Sequence, residues 1–134
     1  MADEQYQAAL TALGVYVGYE PERLLSTQKL VIDGVRVSFS FVQDELGGAI
    51  QGECLVTQVI PDKPIELLRV LLQASTLGSS TGGATFGLNS MDTHLILARR
   101  IPLDTPIDVC AKAWRDLAEN ATLWASAIEK SGWA

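Results

Sequence analysis

The chain has 134 residues, of which 48% are hydrophobic and 19% charged, and this composition excludes intrinsic disorder. A chain of this length lies within the usual size of one domain and can bury about two-thirds of its unfolded surface, so we expect a single domain over residues 1–134. Ten Lys and Arg residues stand against sixteen Asp and Glu residues, and the resulting net charge of -6 argues against nucleic acid as a partner.

The N-terminal residues and the cysteines indicate the compartment. Acidic residues follow Met1, and no basic region leads into an apolar stretch, as a secretory signal would require. No apolar run has the length of a membrane span. Cys54 and Cys110 lack the density of a disulfide scaffold and any metal-binding spacing. We therefore expect a cytoplasmic protein with no membrane partner and with both cysteines reduced.

The first predicted element is a short amphipathic helix. Asp3 can cap its N-terminus, and Gly14 is expected to end it. Its apolar residues recur at the i, i+3, i+4, i+7 spacing of one helix face, namely Tyr6, Ala9, Leu10 and Leu13. An irregular segment that contains Pro21 is expected to follow.

The next stretch predicts a sheet. Asp33-Gly34 separates the apolar runs Lys29–Ile32 and Val35–Val42, an arrangement typical of a β-hairpin. In the second run, apolar residues alternate with polar ones, so one face of that strand is expected to be buried. A turn over 44–48 leads to a third strand over about 50–60. Together these runs predict a three-strand antiparallel meander.

A second helix is predicted from Pro64 to Leu77, and it is apolar nearly all round. A helix beside one sheet needs only one apolar stripe, so its second stripe should meet another surface. In so small a domain, we expect that surface to belong to a second subunit. The sequence therefore predicts a homodimer.

The last elements are a hairpin and a long helix. Ala84–Leu88 and Thr93–Arg99 flank a polar, turn-like segment and predict a two-strand hairpin. Pro106 begins the C-terminal helix, whose apolar stripe is Ile107, Cys110, Trp114, Leu117, Ala121, Trp124 and Ile128. The predicted fold is therefore α+β, in the order helix, three-strand antiparallel meander, helix, two-strand hairpin, long C-terminal helix.

The residue types that carry chemistry do not form a convincing site. His94 stands two residues from Asp92, but no nucleophile can be placed beside this pair from the sequence. The glycine-rich segment 78–87 lacks the lysine of a phosphate-binding loop and precedes a strand. The cysteines and the single histidine match no zinc motif. We expect no catalytic residue, no metal and no cofactor.

With the order of elements in place, three stretches can be compared with known families, namely Leu30 to Val37, Leu71 to Asn89 and His94 to Leu103. Together they resemble the Tir chaperone family, the class I type III secretion chaperones of the CesT type. Leu71 to Asn89 resembles the family's leucine-rich helix, its loop of small residues and the Gly-Gly-Ala strand that follows. His94 to Leu103 is similar to the family's next strand, which closes on paired arginines. Leu30 to Val37 resembles its first hairpin. The similarity spans most of the chain.

The resemblance implies a cytoplasmic homodimer that binds an unfolded N-terminal segment of a secreted virulence effector and keeps it soluble and secretion-competent, without catalysis. It implies a dimer interface formed by the second helix and the strand after it, namely Leu67, Leu68, Leu71, Leu72, Ala84, Phe86 and Leu88. It also implies effector-binding grooves on the first helix and the first strands, which would use Leu10, Leu13, Leu30, Ile32, Val37 and Phe39. For each of these six residues, burial in the core is an equally open interpretation.

Two other functions stay open on the sequence. One is a small dimeric ligand-binding regulatory domain, which a well-formed small-molecule pocket would favour. The other is a small enzyme that uses His94 and Asp92, and substitution of His94 would then abolish its activity.

Overall fold

The computed structural model describes residues 2–44, 47–58, 65–77, 83–88 and 94–130. These residues form helices and strands in the predicted α+β order, with one additional short helix. The elements are α1 (Ala2–Val17), α2 (Pro21–Thr27), β1 (Lys29–Ile32), β2 (Val35–Asp44), β3 (Gly47–Gln58), α3 (Ile65–Leu77), β4 (Thr85–Leu88), β5 (His94–Pro102) and α4 (Ile107–Lys130). None of the helices in this part of the chain combines the length and apolar character needed to cross a bilayer.

The strands form one antiparallel sheet in the order β1-β2-β3-β5-β4. The predicted meander is confirmed, since β1 pairs with β2 and β2 with β3. The predicted hairpin is confirmed as the antiparallel β4–β5 pair, and β5 also pairs with β3. The two parts predicted from sequence therefore share one sheet, whose edge strands are β1 and β4.

The sheet has an inner face, covered by α1 and α4, and an outer face on the opposite side. Because side chains alternate along a strand, cross-strand neighbours lie on the same face. One row of the inner face consists of Leu30, Val37, Cys54 and Leu97, which are paired in register and are all buried. The core of the domain lies between this face and the two helices.

Helix α4 supplies most of the cover over the inner face. Of its predicted apolar stripe, Cys110, Trp114, Leu117, Ala121 and Ile128 are buried, and Ile107 and Trp124 are partly buried. The stripe is therefore confirmed. It positions the fully buried indole of Trp114 over the middle of the sheet.

The predicted end of the first helix is wrong. Helix α1 continues through Gly14 to Val17, and Gly18, with φ of 76°, follows it. A Cβ atom on Gly14 would lie 3.0 Å from the carbonyl oxygen of Tyr19 and 3.1 Å from Cα of Pro21. Gly14 therefore allows α2 to pack closely instead of ending α1. Asp3 also lies inside the helix, not before it.

Helix α2 occupies the segment predicted to be irregular. Pro21 stands in its first turn, where a missing N–H costs nothing. Leu24 is fully buried, which ties this short helix to the core. The helix ends at Thr27 and is capped by Gln28, whose φ is 55°. The Tyr6 hydroxyl donates a 2.5 Å hydrogen bond to Oε1 of Gln28.

The remaining strand and helix bounds differ only slightly from the prediction. Strand β3 begins at Gly47, because β2 continues as far as Asp44 and the two residues pair in register. Helix α3 begins at Ile65, and the predicted start at Pro64 lies outside the described residues, as do residues 78–82 of the glycine-rich segment and Asp92.

Candidate functional site

The six side chains predicted to bind an effector lie mainly in the protomer's own core. Leu10, Leu13, Leu30, Val37 and Phe39 are buried, and Ile32 is partly buried. They belong to α1, β1 and β2 and pack in one hydrophobic cluster. Their contact with a partner stays a prediction. The structure adds exposed apolar side chains from the same elements.

The exposed apolar residues cluster where α1 ends beside the edge strand β1. Tyr16 is 53% exposed, Val17 41% and Val31 56%. They line one depression of about 350 Å³ together with the residues of β1. We call Tyr16, Val17, Val31 and the β1 edge the β1-edge surface. The sequence pattern missed Tyr16 and Val17 because α1 was expected to end at Gly14.

Strand β1 leaves one side of its backbone available. Within the described part of the chain, β1 pairs only with β2. An edge strand presents unpaired N–H and C=O groups, which can accept another extended chain. The β1-edge surface therefore combines backbone hydrogen-bonding groups with exposed apolar side chains.

A second depression, the α1–α4 groove, lies between α1 and the start of α4. It has a volume of about 340 Å³, and small side chains of α1, those of Ala8, Ala9 and Ala12, form one wall. The opposite wall includes Ile107 and the buried Trp114. Nε1 of Trp114 has no hydrogen-bond partner among the residues that the structure describes. A buried donor of this kind costs free energy unless an acceptor reaches it.

The residues predicted to form a dimer interface lie on and beside α3. Leu71 and Ala84 are buried within the protomer, whereas Leu72 is 69% exposed. Phe86 packs edge-on against Trp124 of the same chain, with ring centroids 5.0 Å apart. The side chains of the other three residues lie outside the described part of the structure, namely Leu67, Leu68 and Leu88.

Helix α3 contacts the sheet mainly at β4, the second edge strand. Ser75 Oγ accepts a 2.9 Å hydrogen bond from the backbone N–H of Phe86. Elsewhere around α3, Val70 is 38% exposed and Leu72 is 69% exposed. The exposed side chains of Val70 and Leu72 therefore belong to the helix that adjoins the second edge of the sheet.

The structure describes only some of the residues considered for catalysis or metal binding. His94 is partly buried on β5, and Asp92 lies outside the described residues. No cluster of three potential metal ligands occurs in the described ranges. Cys54 and Cys110 are free and buried. Burial raises the pKa of the Cys54 thiol to about 12, and burial together with Asp108 raises the pKa of Cys110, so both thiols stay protonated at neutral pH.

Solved structures with similar folds include chains from three complexes. A chain of the HopA1–SchA chaperone–effector complex has a TM-score of 0.68 and 16% identity, over 91% of this chain and 94% of that one. A chain of the ExsC–ExsE complex has a TM-score of 0.68 and 14% identity, over 94% of each chain. At these identities, the likeness establishes the fold.

A third similar chain comes from the heterodimeric ExoU–SpcU complex of the type III secretion system of Pseudomonas aeruginosa. Its TM-score is 0.60 at 15% identity, over 73% of this chain and 78% of that one. A search of curated protein sequences gives no significant match. The profile of the Tir chaperone protein (CesT) family matches residues 34–109, which is more than half of the sequence. The chain therefore belongs to the Tir chaperone protein (CesT) family.

Proposed function

We propose that the protein is a cytoplasmic type III secretion chaperone that binds an unfolded N-terminal segment of a virulence effector. In this role it keeps the segment soluble and secretion-competent. The observation that carries the proposal is the β1-edge surface, where an unpaired strand edge adjoins exposed apolar side chains. Family membership and the fold shared with a chain of a chaperone–effector complex support it.

The binding mode that this surface favours is addition of an extended segment to β1. Backbone groups of the segment would pair with the edge of Lys29–Ile32, and its apolar side chains would cover Tyr16 and Val31. A disordered segment loses conformational entropy when it binds, so a large contact surface is needed for useful affinity. This requirement favours a segment that contacts further surfaces of the protein in addition to β1.

The α1–α4 groove is a second place for the same partner. Its small alanine side chains leave room for an apolar side chain of the partner. The surrounding core residues Leu10, Leu13, Leu30, Ile32, Val37 and Phe39 would support these surfaces from beneath and would contact the partner only at their edges.

We further propose that the protein is a homodimer through α3 and β4. Helix α3 packs on an edge strand and exposes Val70 and Leu72. Burial of these side chains against a second copy would remove apolar surface from water. The side chains of Leu67, Leu68 and Leu88 belong to the same proposed interface.

We propose no catalysis and no cofactor for this chain. The family is a chaperone family, and the protonated thiols of Cys54 and Cys110 are poor nucleophiles at neutral pH. No specific observation favours an enzyme that uses His94. The regulatory-domain alternative would need a well-enclosed pocket, whereas the depressions described above are open.

The direct test is co-purification with secreted proteins whose genes adjoin that of this protein. The tagged chaperone is expected to retain one of them, and limited proteolysis should leave an N-terminal segment of that partner protected. Mass spectrometry of the protected fragment identifies the segment. If every neighbouring secreted protein fails to bind, the proposed function is wrong.

A further inference from the structure

The outer face of the sheet carries cations although the whole chain is acidic. The register puts Lys29, Ser38 and Glu53 in one outer row, because the neighbouring row contains the buried inner residues. Arg36 lies on the same face, opposite Val31 on β1. By contrast, the helices α1, α2 and α4 together contain seven acidic residues and four basic ones. Lys29 and Arg36 therefore form a local basic feature of the outer face.

Exposed apolar side chains flank the arginine. Val31 on β1 is 56% exposed, and Leu55 on β3 is 60% exposed. Both line a depression of about 570 Å³ that also includes Lys29 and Arg36. We call Lys29, Val31, Arg36 and Leu55 the outer-face patch. Its pattern is one of cationic groups alternating with apolar ones.

Two cations face one carboxylate in the depression, since Glu53 lines it together with Lys29 and Arg36. Within the described part of the chain, neither Lys29 nor Arg36 forms a side-chain ion pair. The nearby carboxylate of Glu53 accepts a 2.7 Å hydrogen bond from Nε2 of Gln51. Asp33, in the β1–β2 turn, lines the β1-edge depression instead. A carboxylate supplied by a partner would therefore find two available cations.

We propose that the outer-face patch binds an acidic segment of the effector, in which carboxylates are interspersed with apolar side chains. This inference rests on the proposed function and adds the charge of the segment. A guanidinium can hold a carboxylate through two parallel hydrogen bonds, so Arg36 is the main specificity-determining residue. Val31 and Leu55 cover the apolar side chains on either side, and Lys29 contributes at the rim.

The test uses the full-length protein and two sets of fluorescent 20-residue peptides. The sets have the same apolar residues, but one carries Asp and Glu where the other carries Lys and Arg. Anisotropy titrations measure binding to wild type, Arg36→Glu and Arg36→Gln. The matched control is Lys130→Glu, which reverses a positive charge at an exposed position in the last turn of α4, away from the β1-edge surface and the α1–α4 groove. Circular dichroism verifies that each variant is folded.

Wild type is expected to bind the acidic set at least several-fold more tightly, and the difference should shrink as salt is added. Arg36→Glu should reverse the preference, Arg36→Gln should weaken it, and Lys130→Glu should leave it unchanged. Equal binding of the two sets, or equal effects of Arg36→Glu and Lys130→Glu, overturns the inference. So does displacement of the acidic peptides by a single-stranded RNA homopolymer.

Two further outcomes separate this inference from the proposed function. If a neighbouring secreted protein co-purifies but the peptides reveal no charge preference, only the charge of the segment is wrong. If Arg36→Glu changes the oligomeric state and leaves peptide binding unaltered, the patch is an interface between copies and the inference fails. If no secreted neighbour and no peptide binds, both proposals fail.

Discussion

Trp114 of α4 lies directly against Gly52 of β3, so closely that a methyl group at Gly52 would overlap the indole ring. The same ring meets Phe39 edge-on, with centroids 5.1 Å apart and an interplanar angle of 70°. Such edge-to-face pairs add stability beyond the area they bury. The contact joins the long helix to the middle of the sheet. The glycine at position 52 is therefore required by packing.

We predict that Gly52→Ala destabilises the protein by about 1–3 kcal/mol, because the added methyl group must displace a fully buried ring. Urea unfolding followed by tryptophan fluorescence measures the change. The matched control is Gly87→Ala in β4, where a Cβ atom would lie in ordinary contact, 3.8 Å from Cγ1 of Ile96. Equal unfolding midpoints for Gly52→Ala and wild type would contradict the packing argument.

Much of the fold could be predicted because its signals are local. The Asp33-Gly34 turn and the alternation around Val37 specify a hairpin, and the 3.6-residue stripe of α4 specifies a helix. The end of α1 could not be predicted in this way. Gly14 is required because the backbone of Tyr19 and Pro21 approaches it closely. The spacing of apolar residues along the sequence does not reveal such a contact.

The candidate site was harder to predict than the fold, for a physical reason. Alternation identifies which residues share a face of a strand, but it does not tell which face the helices cover. For Leu30 and Val37 the sequence leaves contact with a partner and burial in the core equally open, and the structure shows both side chains to be buried. Val31 and Leu55 point away from the helices and are exposed. The choice between the two faces depends on tertiary packing.

The burial of the Cys54 thiol predicts how the stability of the protein changes at alkaline pH. Its pKa is raised from 9.0 to about 12 by burial, so the folded state keeps a proton that the unfolded state releases above pH 9. The contribution to stability is fully present below pH 9 and is lost as pH rises from 9 to 12. The free energy of unfolding of wild type should therefore fall more steeply over this range than that of Cys54→Ala, as measured by urea titration. Parallel pH profiles would contradict this.

The exposed end of α1 makes a prediction about effector binding. Tyr16 is 53% exposed, so Tyr16→Asp should leave the fold intact and should weaken binding of the co-purifying partner on the order of tenfold, or about 1.4 kcal/mol. Calorimetric titration measures the affinity. Val109→Asp is the matched control, because Val109 is 50% exposed on α4, outside the proposed binding surfaces. Equal affinities of the two variants would exclude Tyr16 from the binding surface.

The proposed dimer makes the last prediction. Light scattering after size exclusion should give wild type a mass of twice 14.4 kDa. Leu72→Asp should yield a monomer, because it would place a charge at the interface without disturbing the protomer, in which Leu72 is 69% exposed. Leu123→Asp is the matched control, since Leu123 is 59% exposed on α4, away from α3 and β4.

Substitution of the buried Leu71 would not be a clean test, because it would damage the protomer as well as any interface. Leu72→Asp avoids this ambiguity if its circular dichroism spectrum matches that of wild type. Folded Leu72→Asp that elutes as a dimer would exclude α3 from the interface. Wild type that stays monomeric at micromolar concentration would exclude the dimer itself, and the effector-binding surfaces would then have to act within a single protomer.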